Sequence, residues 1–196
     1  VAGYVQVANL ALQKIGADDQ LTDPSDPTPA AQAIAAAWEP IRRAVLRKGK
    51  FNFSLTRAEL TAQASSSPGY RTPYPFEYRF PLPSDFLRFV EVLGPSSVID
   101  RYKLERGAVL ADSIGPVFVR YVADVEDAAE WDDLFVEAFA ARLAFQVADR
   151  VTGDRGRKSD CWAEYRAAIR ETAGVDAKED PPEEAQDSSW ITARFG

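Results

Sequence analysis

Apolar positions recur at helical spacing at both ends of the chain and at strand spacing in the middle. Val5, Ala8, Leu12 and Ile15 define a first helix over Val5–Ile15, with Gly16 placed to end it. Ala17–Pro29 is a polar connector with turn signals at Asp23-Pro24 and Asp26-Pro27. Thr28 is a cap and Pro29 a first helical residue for a second helix over Ala30–Lys48. Its stripe is Ile34, Trp38, Ile41 and Val45. Pro40 cannot donate to the Ala36 carbonyl, which predicts a kink or a break into two helices. Phe51–Leu60 reads as a short third helix, and Thr61–Pro75, rich in serine and proline, as a loop.

The period then changes. Phe76, Tyr78 and Phe80 alternate with Glu77 and Arg79, as in a half-buried strand. Phe86–Leu93, Val98–Leu104, Ala108–Leu110 and Val117–Val122 supply further strands. Glu105-Arg106-Gly107 is a hairpin turn with glycine at the position needing positive φ. Helical spacing returns after a capping box at Asp127 and Glu130. Trp131, Phe135, Phe139, Leu143, Val147 and Val151 follow at intervals of four. Leu134, Ala138, Phe145 and Ala148 widen this apolar surface. Such a helix is central to a bundle or also meets a neighbouring subunit. Arg157–Ala173 is a last helix, with Trp162, Tyr165, Ile169 and Ala173 inward and Gly174 as terminator.

The pattern therefore predicts an α+β chain, mainly α: a bundle of about four helices with an inserted antiparallel sheet or hairpin region. Residues 1–174 form one domain, with the bundle at 1–60 and 127–174 and the β insertion at 76–123. Residues 175–196 form an extended C-terminal arm. From Asp176 to Ser188 the arm carries six acids and one lysine, so most of the chain's net charge of −7 resides there. Such a stretch buries no core. It ends in Trp190, Ile191, Thr192, Ala193, Arg194 and Phe195, which either dock on another molecule or pack back on their own domain.

Composition narrows the chemistry. Histidine is absent and there is one cysteine, Cys161. The commonest general base and metal ligand are missing, as are Ser–His and Cys–His nucleophiles and nitrogen/sulfur zinc sites. The spacing for a dinucleotide or phosphate loop is absent too. Glu130, Asp132 and Asp133 form the densest carboxylate group and suit a first helical turn. Cys161 beside Trp162 reads as an inert thiol. Arg42, Arg43, Arg47, Lys48 and Lys50 close the second helix, where cations favour the dipole; a phosphate site is the alternative. The expectations are no catalysis, no cofactor and no metal. No membrane span or signal peptide is predicted, and a single cysteine fits a reducing compartment.

Several segments, in order, resemble the head–tail connector or adaptor proteins of tailed phages, including the tail tubular protein A type. Ala8-Asn9-Leu10-Ala11-Leu12-Gln13-Lys14-Ile15-Gly16-Ala17 is similar to that family's opening helix. Ile41-Arg42-Arg43-Ala44-Val45-Leu46 and Phe51-Asn52-Phe53-Ser54-Leu55-Thr56-Arg57 resemble its next stretch, with Phe51 for the usual tryptophan and Ser54 for alanine. Tyr78 and Leu82-Pro83-Ser84-Asp85-Phe86 resemble its lead into the sheet. Arg120-Tyr121-Val122, Trp131-Asp132-Asp133-Leu134-Phe135 and Leu143-Ala144 resemble its return to the long helix. Asp176-Ala177 and Trp190 to Arg194 resemble its tail.

The resemblance implies a structural virion protein, assembled in the host cytoplasm and located at the head–tail junction. It implies a ring homo-oligomer, usually a 12-mer, that conducts DNA without sequence-specific binding. Its partners would be the portal protein and a tail or tail-completion protein, with no membrane. Trp190, Ile191, Arg194 and Phe195 would dock on the portal. Trp131, Phe135, Phe139 and Leu143 would lie in a bundle or subunit interface. A tail terminator or completion ring, or a gene transfer agent adaptor, is the alternative. A carboxylate-dependent hydrolase around Glu130 and Asp133 is a remote one.

Overall fold

The computed structural model describes residues 3–94, 99, 101–113 and 115–179. Among them are four helices: α1 Tyr4–Lys14, α2 Pro29–Lys48, α3 Asp133–Val151 and α4 Arg155–Glu179. There are six strands: β1 Leu55–Leu60, β2 Tyr78–Pro81, β3 Phe86–Leu93, β4 Tyr102–Glu105, β5 Ala108–Ala111 and β6 Val117–Ala123. The strands form two antiparallel three-stranded sheets, ordered β1-β6-β3 and β2-β5-β4. The class is α+β, with a larger share of sheet than a mainly helical bundle with one inserted hairpin region implies.

Local chemistry explains most of the boundaries. Thr28 Oγ1 accepts from the Ala31 N–H at 3.1 Å, and Pro29 opens α2. Gly16, at φ 64°, turns the chain beyond α1. Arg106 and Gly107, at φ 46° and 72°, form the two-residue loop between β4 and β5. Both central residues are left-handed, the geometry that matches the twist of paired strands. Asp154 accepts from the backbone N–H of Gly156 and Arg157, at 2.8 and 3.1 Å, at the start of α4.

Five expectations are corrected. Phe51–Leu60 is not a helix: a 3₁₀ turn over Asn52–Ser54 leads into β1, which pairs with β6 from Leu55↔Val122 to Leu60↔Val117. The i, i+4 spacing of Phe51 and Leu55 mimics a helix, but a long-range ladder outweighs it. The bundle therefore stops before residue 55, and the sheet region is not confined to 76–123. Of the kink or break expected at Pro40, the break does not occur: α2 runs through it, and Pro40 and Ala36 both lie on the exposed side, where the carbonyl that loses its donor is open to solvent. Asp127 caps only a 3₁₀ turn over Ala128–Glu130, and α3 starts from Asp132, whose carboxylate accepts from the Leu134 N–H at 2.9 Å. Gly174 does not end α4, which continues to Glu179. Glycine inside a helix costs about 1 kcal/mol, which neighbouring helix formers offset. Residues 175–179 thus belong to a helix rather than an extended arm; the rest of that arm lies outside the described residues.

Two apolar clusters share the β1-β6-β3 sheet. On one face Val122 and Leu87 join the helical core, where Val7, Leu12, Ile34, Val45, Phe51, Phe135, Phe139 and Leu143 are almost wholly buried. On the other face Val117, Val119 and Tyr121 meet Phe80, Val109 and Ala111 of the second sheet. Alternation along β6 sends odd positions one way and even positions the other. The layers are therefore helices, sheet, sheet.

A charged joint locks the helices to that middle layer. The Arg42 guanidinium, on α2, donates to both Asp124 oxygens, at 2.9 and 3.0 Å, just beyond β6. Both side chains are about 95% buried. Glu126 lies 3.4 Å from Arg42, and Arg43 lies 3.3 Å from Asp124. Below this joint Arg47 donates to the Leu87 carbonyl, and Arg88 donates to the Gly49 carbonyl at 2.9 Å. Removing one partner of a buried pair strands the other charge. Asp124→Ala should therefore cost about 3–5 kcal/mol in urea unfolding. The double variant Arg42→Met/Asp124→Leu should recover most of that loss; an equal loss in both would show that the charge is not what matters.

Candidate functional site

Within the basic run that closes α2, Arg42 is buried and Arg43 and Arg47 are tied to neighbouring groups from the surface. Arg42, Arg43 and Arg47 make the contacts just described, and Lys48 lies 6.0 Å from the Tyr165 ring centre. Arg47 and Lys48 lie in the last turn of α2, where cations complement the dipole, and a phosphate site would have to displace the contacts of Arg42, Arg43 and Arg47. Arg42 carries a legible signal: it falls four residues after Trp38, on the apolar stripe. An arginine there needs a buried acid.

Trp131, Phe135, Phe139 and Leu143 come together as the centre of the helical core. Trp131 lies before α3; its indole N–H donates to the Val125 carbonyl at 3.0 Å, and its ring is 5.7 Å from Trp38. Phe139 meets Trp38 edge-on at 4.9 Å, and Phe51 meets Phe135 at 4.9 Å. Edge-to-face pairs at these distances favour one packing over others. All four side chains are buried within this one chain. Trp190, Ile191, Arg194 and Phe195 lie outside the described residues.

The groups with chemical potential are held in structural roles. Cys161 is buried, its Sγ 3.9 Å from the Lys14 carbonyl, and burial, with Glu164 nearby, pushes its thiol up. Glu130 and Asp133 stay exposed around the start of α3. Among the described residues no cluster of His, Cys, Asp and Glu could hold a metal ion, and no helix is long and apolar enough to cross a membrane. Asp85, in the Leu82–Phe86 stretch, accepts from the Tyr121 hydroxyl at 3.0 Å, and its carbonyl accepts from the Asp124 N–H at 2.7 Å. That segment ties the start of β3 to the end of β6.

The remaining surface features are exposed aromatic residues and a groove. Among the large apolar residues, Tyr74 on the 61–75 loop is 87% exposed and Trp162 is 37% exposed. Trp162 departs from the core position that its helical spacing implies; the buried line on α4 passes through Cys161, Tyr165 and Thr172 instead. With Phe145 at 5.0 Å it forms a groove between α3 and α4, rimmed by Arg155 and Lys158. Arg142 stacks over both rings, at 5.1 and 5.5 Å. On the middle sheet, Phe118 lies beyond the helical cover beside Arg57, Glu59 and Glu91.

No family model matches the chain, and no curated protein does.

Burial, then the Asp85 hydrogen bond, push the Tyr121 phenol from 10.0 up to about 12. The folded state thus favours the neutral phenol. This contribution to stability is full below pH 10 and is lost as pH rises from 10 toward 12. Tyr121→Phe should flatten the alkaline limb of the stability–pH curve over that window, read by urea titrations. Native Cys161 should react with a thiol reagent at least about tenfold more slowly than the urea-unfolded chain.

Proposed function

We propose that this chain is a structural subunit of the adaptor ring between the portal and the tail of a tailed phage. The observation that carries the reading is the order of elements: two helices, a two-sheet insertion, then a long buried helix and a second long helix. The segments that resemble the connector family follow the same order. In this reading the protein is not an enzyme. Its helices form a bundle in the ring wall, the sheets face the tail, and DNA passes through the bore. The ring is a homo-oligomer, usually a 12-mer, in the virion.

Charge supports a conduit. Capture of DNA through its phosphates needs accessible cations in a stripe. Here the arginines of α2 are engaged with acids and carbonyls, the cations along α4 run beside a flank of acids, and the chain as a whole is acidic. The C-terminal segment is the portal-docking arm, with Trp190, Ile191, Arg194 and Phe195 as its anchor. One aromatic anchor contributes about 2 kcal/mol, and repetition around a ring turns modest contacts into a durable joint.

The test is co-purification with portal rings from the same genome, followed by electron cryo-microscopy. The full chain should decorate the portal as a ring, and the chain lacking Trp190–Gly196 should not, while its circular dichroism and unfolding midpoint stay unchanged. Normal docking by the shortened chain would overturn the arm assignment. Failure of the full chain to bind any portal ring would overturn the adaptor reading.

A further inference from the structure

The exposed charges of α4 are sorted by side. Arg155, Lys158, Arg166 and Arg170 recur at intervals of three and four with Trp162 among them, which places them along one flank. Asp160, Glu164 and Glu171 lie along the other flank. One cation, Arg157, sits on the acidic flank, within 3.6 Å of Asp154. Exposed Ser159, Ala163 and Ala167 run between the flanks, opposite the buried line of Cys161, Tyr165 and Thr172. Within the chain, Lys158 pairs with Asp149, and Glu164 pairs with Lys14 at 2.7 Å. Glu164 is still half exposed, and Asp160, Glu171, Arg166 and Arg170 are exposed.

We propose that the cationic flank of α4 is covered by the acidic flank of the α4 of a second copy of the chain, running parallel to it. Direction follows from the sorting. Parallel helices side by side set the right flank of one against the left flank of the next, so cations meet acids. Antiparallel helices bring like flanks together, cation to cation. Charges flanking a helix contact set partner choice and orientation in this way. Trp162, with Phe145 beneath it and Arg142 over both rings, is the apolar surface that the neighbour covers.

The contact joins two different flanks. One copy keeps its acidic flank free and the other its cationic flank, so addition continues head to tail until a rotation closes it. Closure into a ring is the step that rests on the function proposed above; the α4 contact stands on the charge pattern alone.

The test uses the full chain with a photoreactive benzophenone amino acid replacing Trp162. Isotope-labelled and unlabelled chains are mixed, irradiated and digested for mass spectrometry. Cross-links should join position 162 of one copy to the Asp160–Glu171 stretch of another, and a denaturing gel should show a ladder beyond dimer. Arg166→Glu/Arg170→Glu should remove the ladder, and mixing that chain with the Glu164→Lys/Glu171→Lys chain should restore cross-linking between the two. Cross-links confined to one chain, or a ladder indifferent to both reversals, would overturn the contact. A ladder that stops at dimer would keep the contact and remove the ring. Portal-bound rings without any intermolecular link from position 162 would keep the ring and remove the contact.

Discussion

The buried ion pair between Arg42 and Asp124 is the constraint on which the layers of this molecule depend. It joins a helix to the end of a strand more than eighty residues later. A guanidinium held by both carboxylate oxygens admits one distance and one plane. That geometry sets how α2 lies across the middle sheet, and Arg88 and Arg47 repeat the connection at the helix end. A buried pair adds little net stability over an apolar substitute, yet an alternative packing that separates it strands two charges. Its contribution is therefore to exclude other arrangements of helices on sheet.

With that arrangement set, the middle sheet serves two cores. β6 carries Val122 to the helical side and Val117, Val119 and Tyr121 to the other sheet. A one-residue slip in β6 would exchange these sets and damage both cores together. Asp85 guards this register, bonding the Tyr121 hydroxyl through its side chain and the Asp124 N–H through its backbone. The stretch that leads into the sheet and the buried ion pair thus belong to one connected support.

The same economy shapes the surface. Of the α2 cations, which composition alone presents as a basic run, Arg42 is buried and Arg43 and Arg47 are held against an acid and a carbonyl, whereas most of those of α4 lie on one flank. A helix of low amphipathic contrast along its exposed surface carries its information in the ordering of charge instead.

The helices and strands with strong periodicity were legible: α1 and α2 in extent, α3 in its existence and its end, and the Arg106-Gly107 hairpin in its turn chemistry. Those features are local, set by spacing, capping residues and the glycines of the turns. The central placement of Trp131, Phe135, Phe139 and Leu143 was open between bundle core and subunit contact. β1 was not legible, because its strand exists only through pairing with β6, and a short run with Phe51 and Leu55 at helical spacing has no local reason to extend. Nor was Asp124 legible as the partner of Arg42, since only the tertiary structure brings an acid beyond β6 to a helix so distant in the chain. The exposed side of α4 was hidden for a related reason. Trp162 fits an apolar stripe, and only the packing of Cys161 and Tyr165 against α1 and α3 decided which side faces in. Sequence alone determined the local elements because their hydrogen bonds close within a few residues; long-range pairing and burial decided how they assemble and what they leave exposed.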